Sequence, residues 1–264
     1  MLTSNPFSEL AVSIPPGVMQ AYVFLALLLV IGGTAFDVIH KGSARYFFEN
    51  MQRSKKRGKR TVGGAEKVAI AAKTFTHDVL VTGELGNSNR RIAHLLGMYG
   101  FILFVISTAV MIISYPTAGD LTPIIWPLLW HLGALMVCVG GYWFWFVMRV
   151  DVASEGASPF QLMKADLFIL SLLATTTFAL LWSFFQAIGA SGLGVFFFVL
   201  FIIAATIMFG GVPWSKFAHM FFKPAAAFEK RLSEADGSMN NLPPPVDAPA
   251  KFGLGIKREQ ANHY

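Results

Sequence analysis

Gly194-Val195-Phe196-Phe197-Phe198-Val199-Leu200-Phe201-Ile202-Ile203-Ala204-Ala205-Thr206-Ile207-Met208-Phe209-Gly210-Gly211-Val212 runs through 19 residues without one ionisable side chain. At 1.5 Å rise per residue, a helix of this length nearly matches the ~30 Å hydrocarbon core of a bilayer. Four further stretches read the same way: Val18–Phe36, Ala93–Tyr115, Ile124–Met148 and Leu167–Ile188. Composition agrees, with 55% apolar and only 14% charged residues in 264 and a mean hydropathy of +0.56, values foreign to a soluble domain. The expectation is an all-α, integral membrane five-helix bundle, multi-pass in the inner (cytoplasmic) membrane.

Charge orients the bundle, because Lys and Arg resist transfer and collect in cytoplasmic loops. Twelve of the 21 fall between Lys41 and Arg91, Arg149 and Lys164 flank the third connection, and seven run from Lys216 to Arg258. Residues 1–17, 116–122 and 189–192 hold none. The N-terminus is therefore expected outside and the C-terminus in the cytoplasm. This gives an external segment 1–17, a transmembrane domain 18–222 that includes a cytoplasmic basic loop 39–92, and a cytoplasmic tail 223–264. The first span lacks a basic leader and follows Ser13-Ile14-Pro15-Pro16-Gly17, so it reads as a retained helix, not a cleaved signal. Tryptophan prefers the headgroup level; Trp126, Trp130 and Trp182 are expected in the outer belt, and Trp143, Trp145 and Trp214 in the inner one.

Basic loops under a membrane account for the net charge of +6 without nucleic acid. The loop carries Arg53-Ser54-Lys55-Lys56-Arg57-Gly58-Lys59-Arg60, and Ala65–Asp78 beyond it reads as a short interfacial helix. The tail starts as an amphipathic helix, Pro224–Glu234, then becomes polar and Pro-rich at Asn241-Leu242-Pro243-Pro244-Pro245, an extended arm. The chain has one cysteine, Cys138. Iron–sulfur and cysteine-zinc sites need several thiolates, so any cluster that exchanges electrons with this chain belongs to a partner. No phosphate loop, nucleophile elbow or carboxylate dyad is visible.

Chemistry therefore rests on histidine. His94 opens the second span and His219 follows the fifth, and the parity of the spans puts both at the basic face. A bis-imidazole heme needs two such nitrogens at equal depth, with small residues nearby so that the macrocycle can approach the backbone. Gly97, Gly100, Gly210 and Gly211 supply candidate positions of that kind. Arg90, Arg91 and Lys216 lie where propionates would emerge and could donate charge-assisted hydrogen bonds. The plain alternative is two interfacial histidines that snorkel and bind nothing.

Residues Thr76-His77-Asp78-Val79-Leu80, Arg90-Arg91-Ile92-Ala93-His94-Leu95-Leu96-Gly97-Met98-Tyr99-Gly100-Phe101 and Val212-Pro213-Trp214-Ser215-Lys216-Phe217-Ala218-His219-Met220-Phe221-Phe222-Lys223-Pro224 resemble the membrane cytochrome b family. That family includes the nitrate reductase gamma subunit, the heterodisulfide reductase membrane subunit and the membrane domain of the quinone-interacting oxidoreductase of sulfur metabolism. The resemblance covers the five spans, and Pro-Trp-Ser-Lys-x-x-His is its most specific part. It implies His94 and His219 as axial ligands of a heme b, and electron exchange with quinone. Where two-heme members carry a further histidine pair, this chain has Phe104 and Phe201, so the resemblance implies one heme at most. Within the family, the chain looks most like the membrane anchor of dissimilatory adenylylsulfate reductase. That implies a soluble flavin and iron–sulfur oxidoreductase docked at the cytoplasmic face, and an anchor that catalyses no bond chemistry itself.

His131, about two turns into the third span, must find a partner at that depth. It either bonds a neighbouring helix, contacts a quinone, or ligates a second heme with Met111 opposite. His40 and His77 read as solvated, and His263 receives no role. A transporter would show polar residues at mid-bilayer and matching broken helices in two halves, and little beyond His131 answers to that.

Overall fold

A computed structural model describes residues 2–40, 43–83, 85, 87–150, 156, 158–214 and 219–238. All regular structure among them is helical. Five helices are long and apolar enough to cross a membrane: α2 (Pro16–His40), α5 (Ser88–Ser114), α6 with its terminal π-type turn (Ile125–Met148), α7 (Leu167–Ala187) and α8 (Ser191–Gly210). The protein is thus a multi-pass membrane protein whose apolar outer faces meet lipid. The remaining helices are α1 (Pro6–Leu10), α3 (Ser43–Arg57), α4 (Gly64–Lys73), which runs into a π-type turn over Thr74–Leu80, and α9 (His219–Asp236).

The chain forms two compact units, Met1–Asp37 with Ile92–Ala218, and Val38–Arg91 with His219–Tyr264. In the first, α5 and α6 touch backbone to backbone: a Cβ at Gly100 would lie 2.7 Å from the Gly133 carbonyl oxygen, and one at Gly133 equally close to that of Gly100. One heptad on, Gly140 meets Ala93 in the same way. Lipid offers no hydrophobic drive between helices, so close approach at small residues holds them through dispersion contacts. α7 and α8 form a hairpin closed by Gly189, whose φ of +75° suits a residue without Cβ. The first span helix, α2, is peripheral, with 6% of its apolar window buried. Tyr22 donates toward the Ile202 carbonyl at 3.2 Å, and Gly33 packs on Val212, which ties α2 to α8.

The core of this unit is aromatic. Phe104, Trp130, Trp182, Phe198 and Phe201 are all buried, and Phe7 of α1 enters among them at ring distances of 5.8 Å from Trp130 and 5.1 Å from Trp182. Pro6 begins α1, where its missing N–H costs nothing, and Asn5 caps it by accepting from the Phe7 and Ser8 amides. The Asn5 amide also donates to the Tyr115 carbonyl at 3.0 Å and to Thr122 at 3.2 Å, while Gln186 reaches the Pro6 carbonyl and Glu9. The segment read as simply external is therefore a plug in one end of the bundle. Two of the expected belt tryptophans are corrected as well: Trp130 and Trp182 are 0% and 1% exposed. Their apolar bulk fills the core, and Trp130 satisfies its indole N–H on Thr108 at 2.9 Å instead of on headgroups. Trp145, assigned to the inner belt, is buried too.

In the second unit α3, the α4 turn and α9 pack together. Arg231 donates to Asp78 from Nε at 2.6 Å and from Nη2 at 2.8 Å. Ser54 shares its hydroxyl with Ser233 and Ser238, and the Lys59 amide donates to the Asp236 carbonyl at 2.8 Å. The tail helix is longer than its amphipathic stretch predicts and is stapled to the basic loop. The Pro-rich arm and His263 lie outside the described residues.

Candidate functional site

His94 sits in the second turn of α5 and is exposed. Gly97, one turn on and on the same face, has open space where a Cβ would stand, and so has Gly210 at the end of α8. Gly100 has none: expected as a porphyrin contact, it is closed off by the α6 backbone, because it faces the helix seam and not the His94 side. Gly211 is filled by its own Ile207 carbonyl and by Leu167, so that expectation is corrected too.

His219 is the first residue of α9 and belongs to the second compact unit, whereas His94 belongs to the first. Arg90 and Arg91 open α5, and the Arg91 Nε donates to the Val81 carbonyl at 2.8 Å. Lys216 lies outside the described residues. No three metal-ligating side chains cluster among the described residues, though an axial imidazole pair requires no such group.

His131 is 1% exposed and uses both ring nitrogens within the bundle. Nδ1 donates to the Pro127 carbonyl at 2.7 Å, which fixes the tautomer, so Nε2 accepts from the Ser183 hydroxyl at 2.8 Å. With both nitrogens so engaged, the ring bonds a neighbouring helix, and no lone pair is left for iron. Met111, its conceivable partner, is wholly buried beside Phe104 and Ile112. Phe104 and Phe201 lie 6.5 Å apart, edge to face, and are both buried in the aromatic core.

Charged groups outside the spans have well-defined partners. The Arg231 guanidinium, with a smaller contribution from His77, holds the Asp78 carboxyl below its ordinary range against the opposing effect of burial. His77, read as plainly solvated, donates from Nδ1 to Asp78 at 2.8 Å. Arg60 pairs with Glu66, raising the guanidinium and lowering the carboxyl. Arg53, Lys55, Lys56 and Arg57 of α3 are exposed.

Sequence reading passed over two buried charges. Asp37 is 5% exposed near the end of α2, and an acid inside a span is a signal in its own right. Arg149 is 0% exposed and pairs with Asp166 at 2.7 Å. It counts toward the orienting charges, but nothing in its sequence neighbourhood marks it as desolvated.

Five spans, an aromatic core and one exposed imidazole beside open glycine faces define a multi-pass α-helical membrane protein with a histidine at one end of its bundle. No family model matches the chain, and neither a curated protein nor a solved structure does.

Proposed function

We propose that this chain is a membrane anchor and electron-transfer subunit of the inner membrane. In this reading it links a soluble flavin and iron–sulfur oxidoreductase at the cytoplasmic face, dissimilatory adenylylsulfate reductase by resemblance, to the quinone pool. The link is one b-type heme with His94 and His219 as axial ligands and Arg90, Arg91 and Lys216 at its propionates. The observation that carries this reading is His94, exposed on the face of α5 it shares with the open position at Gly97. When bound, the heme supplies a one-electron relay between partner and quinone. The protein's own part is to hold two neutral imidazoles and to exclude a second macrocycle with Phe104 and Phe201. The exposed cations of α3 meet an acidic docking surface, a contact that governs the speed and orientation of encounter.

A second reading, a heme-free anchor for the same enzyme, is favoured by one observation: the basic loop and α9 form a unit held by its own ion pairs. Its docking surface needs no heme. Absorption spectra of the purified protein, oxidised and dithionite-reduced, separate the two. The first reading expects low-spin b-type bands that vanish in His94→Ala and His219→Ala. The second expects no bands, but co-purification with the soluble enzyme that is lost when Lys55 and Lys56 become Glu. Absence of both bands and co-purification overturns both.

A further inference from the structure

Directly after α6, Arg149 lies fully buried beneath the connection to α7. Its Nη1 donates to the Ser158 carbonyl and its Nη2 to the Gln161 carbonyl, each at 2.6 Å, and Nη2 also reaches Asp166 at 2.7 Å. The guanidinium sits 4.2 Å from the centre of the Trp145 ring. Asp166 in turn accepts from the Met163 amide at 2.9 Å. Residues 158, 161, 163 and 166 are thus all tied to groups at the ends of α6 and α7. A desolvated guanidinium is tolerated where its charge is paired and its terminal nitrogens are used, as both are here, although Nε finds no hydrogen-bond partner.

What this clamp displays is apolar. Phe160, at the tip of the 158–161 turn, is 90% exposed, Leu162 65% and Met163 48%. Large exposed apolar groups this close together call for a covering. Their height relative to the bilayer is set by the chain. Ile125–Met148 has 24 residues and Leu167–Ala187 has 21, or about 36 Å and 32 Å of helix against a hydrocarbon core of ~30 Å. Arg149 and Asp166 therefore stand at the boundary of the core, and the backbone hydrogen-bonded to Arg149 stands at headgroup level. The lipid-facing stripe of α6 also leads there: Val139, Tyr142, Phe146 and Val150 are exposed at helical spacing, and the apolar series resumes at Phe160. Lys164, also exposed, can lay its alkyl stem along this surface and keep its ammonium among headgroups.

We infer that the Arg149-clamped turn is an interfacial membrane anchor in which Phe160, Leu162 and Met163 insert at the boundary between headgroups and acyl chains. Residues 158–166 would then be a lipid-seated foot of the bundle, fixing the depth of α6 and α7, and not a free loop. This rests on the five spans alone and stands or falls independently of the heme.

The test is spin-label accessibility of full-length protein in vesicles of phosphatidylcholine with a minor fraction of phosphatidylglycerol. On a Cys138→Ala background, a nitroxide at Phe160→Cys is expected to be several-fold more accessible to oxygen than to a water-soluble nickel chelate, as at the span position Phe146→Cys. Leu162→Cys carries the same expectation should the first variant not fold. Adding Arg149→Ala releases the turn, and nickel accessibility at 160 should rise several-fold. A label more accessible to nickel than to oxygen overturns the inference, as does one shielded from both, which would place another protein surface over the turn. Unchanged accessibility in Arg149→Ala overturns the role of the clamp.

Discussion

Arg231 of α9 and Asp78 of the turn after α4 form a two-point ion pair, Nε to Oδ2 at 2.6 Å and Nη2 to Oδ1 at 2.8 Å, across 153 residues of sequence. The Asp78 side chain is 4% exposed and that of Arg231 21%, so this pair is not a screened surface contact. It joins the basic loop to the tail helix, together with the Ser54–Ser233 bond and the Lys59–Asp236 backbone bond.

Removing one partner leaves the other desolvated without compensation. Arg231→Met is expected to weaken α9 docking by about 2–3 kcal/mol, the scale of charge-assisted hydrogen bonds. Hydrogen exchange across residues 219–236 should speed up accordingly while the spans stay protected.

Two acids in this unit give opposite responses to pH. Asp78 is held below its ordinary range by Arg231, so its contribution is complete above the unfolded value near ~3.9 and is lost as pH falls through the folded value. Protection of α9 should hold from neutral pH down to about pH 5 and drop only in stronger acid. Glu229 is pushed up by burial, partly offset by Lys55, so its ionisation opposes packing as pH rises from the ordinary carboxylate value up through the raised folded one. Glu229→Gln should therefore slow exchange in α9 at neutral pH, and exchange-detected mass spectrometry reads both effects.

Phe7 is buried among the span rings of Trp130, Trp182 and Phe201. Phe7→Ala is expected to cost about 3 kcal/mol and to lower the thermal midpoint in detergent, with a change in the emission of Trp130 and Trp182. Asn5→Ala, which removes the cap and the bonds to Tyr115 and Thr122, should cost about 1–2 kcal/mol.

His131→Ala leaves the Ser183 hydroxyl and the Pro127 carbonyl without their partner. A loss of about 1–2 kcal/mol is expected, the upper range for buried hydrogen bonds between membrane helices. Heme content should not change. Loss of heme in this variant, with thermal stability intact, would return the ring to a ligand role.

The spans were legible because a bilayer imposes one demand, twenty apolar residues per crossing, and a 19-residue run such as 194–212 has no other reading. Burial within the bundle was less legible. Lipid and protein interior are equally apolar, so nothing in the residues around Trp130 or Trp182 says which of the two they face. Gly100 was misread for a related reason: the smallness that admits a macrocycle also admits a helix, and only the pairing with Gly133 decides between them. α1 is five residues long and carries no span signal, though Asn5-Pro6 is a helix start that could have been caught. Contacts such as Asp78–Arg231 join distant segments and leave no periodic trace in either.

The central claim is that His94 and His219 hold one iron between them. Near-infrared magnetic circular dichroism of the oxidised, purified full-length protein reads the axial pair directly. The account predicts the ligand-to-metal band of a bis-imidazole low-spin heme, one per chain, lost in His94→Ala and in His219→Ala. Heme-free protein after expression with ample heme, or a band that survives both substitutions, would contradict it.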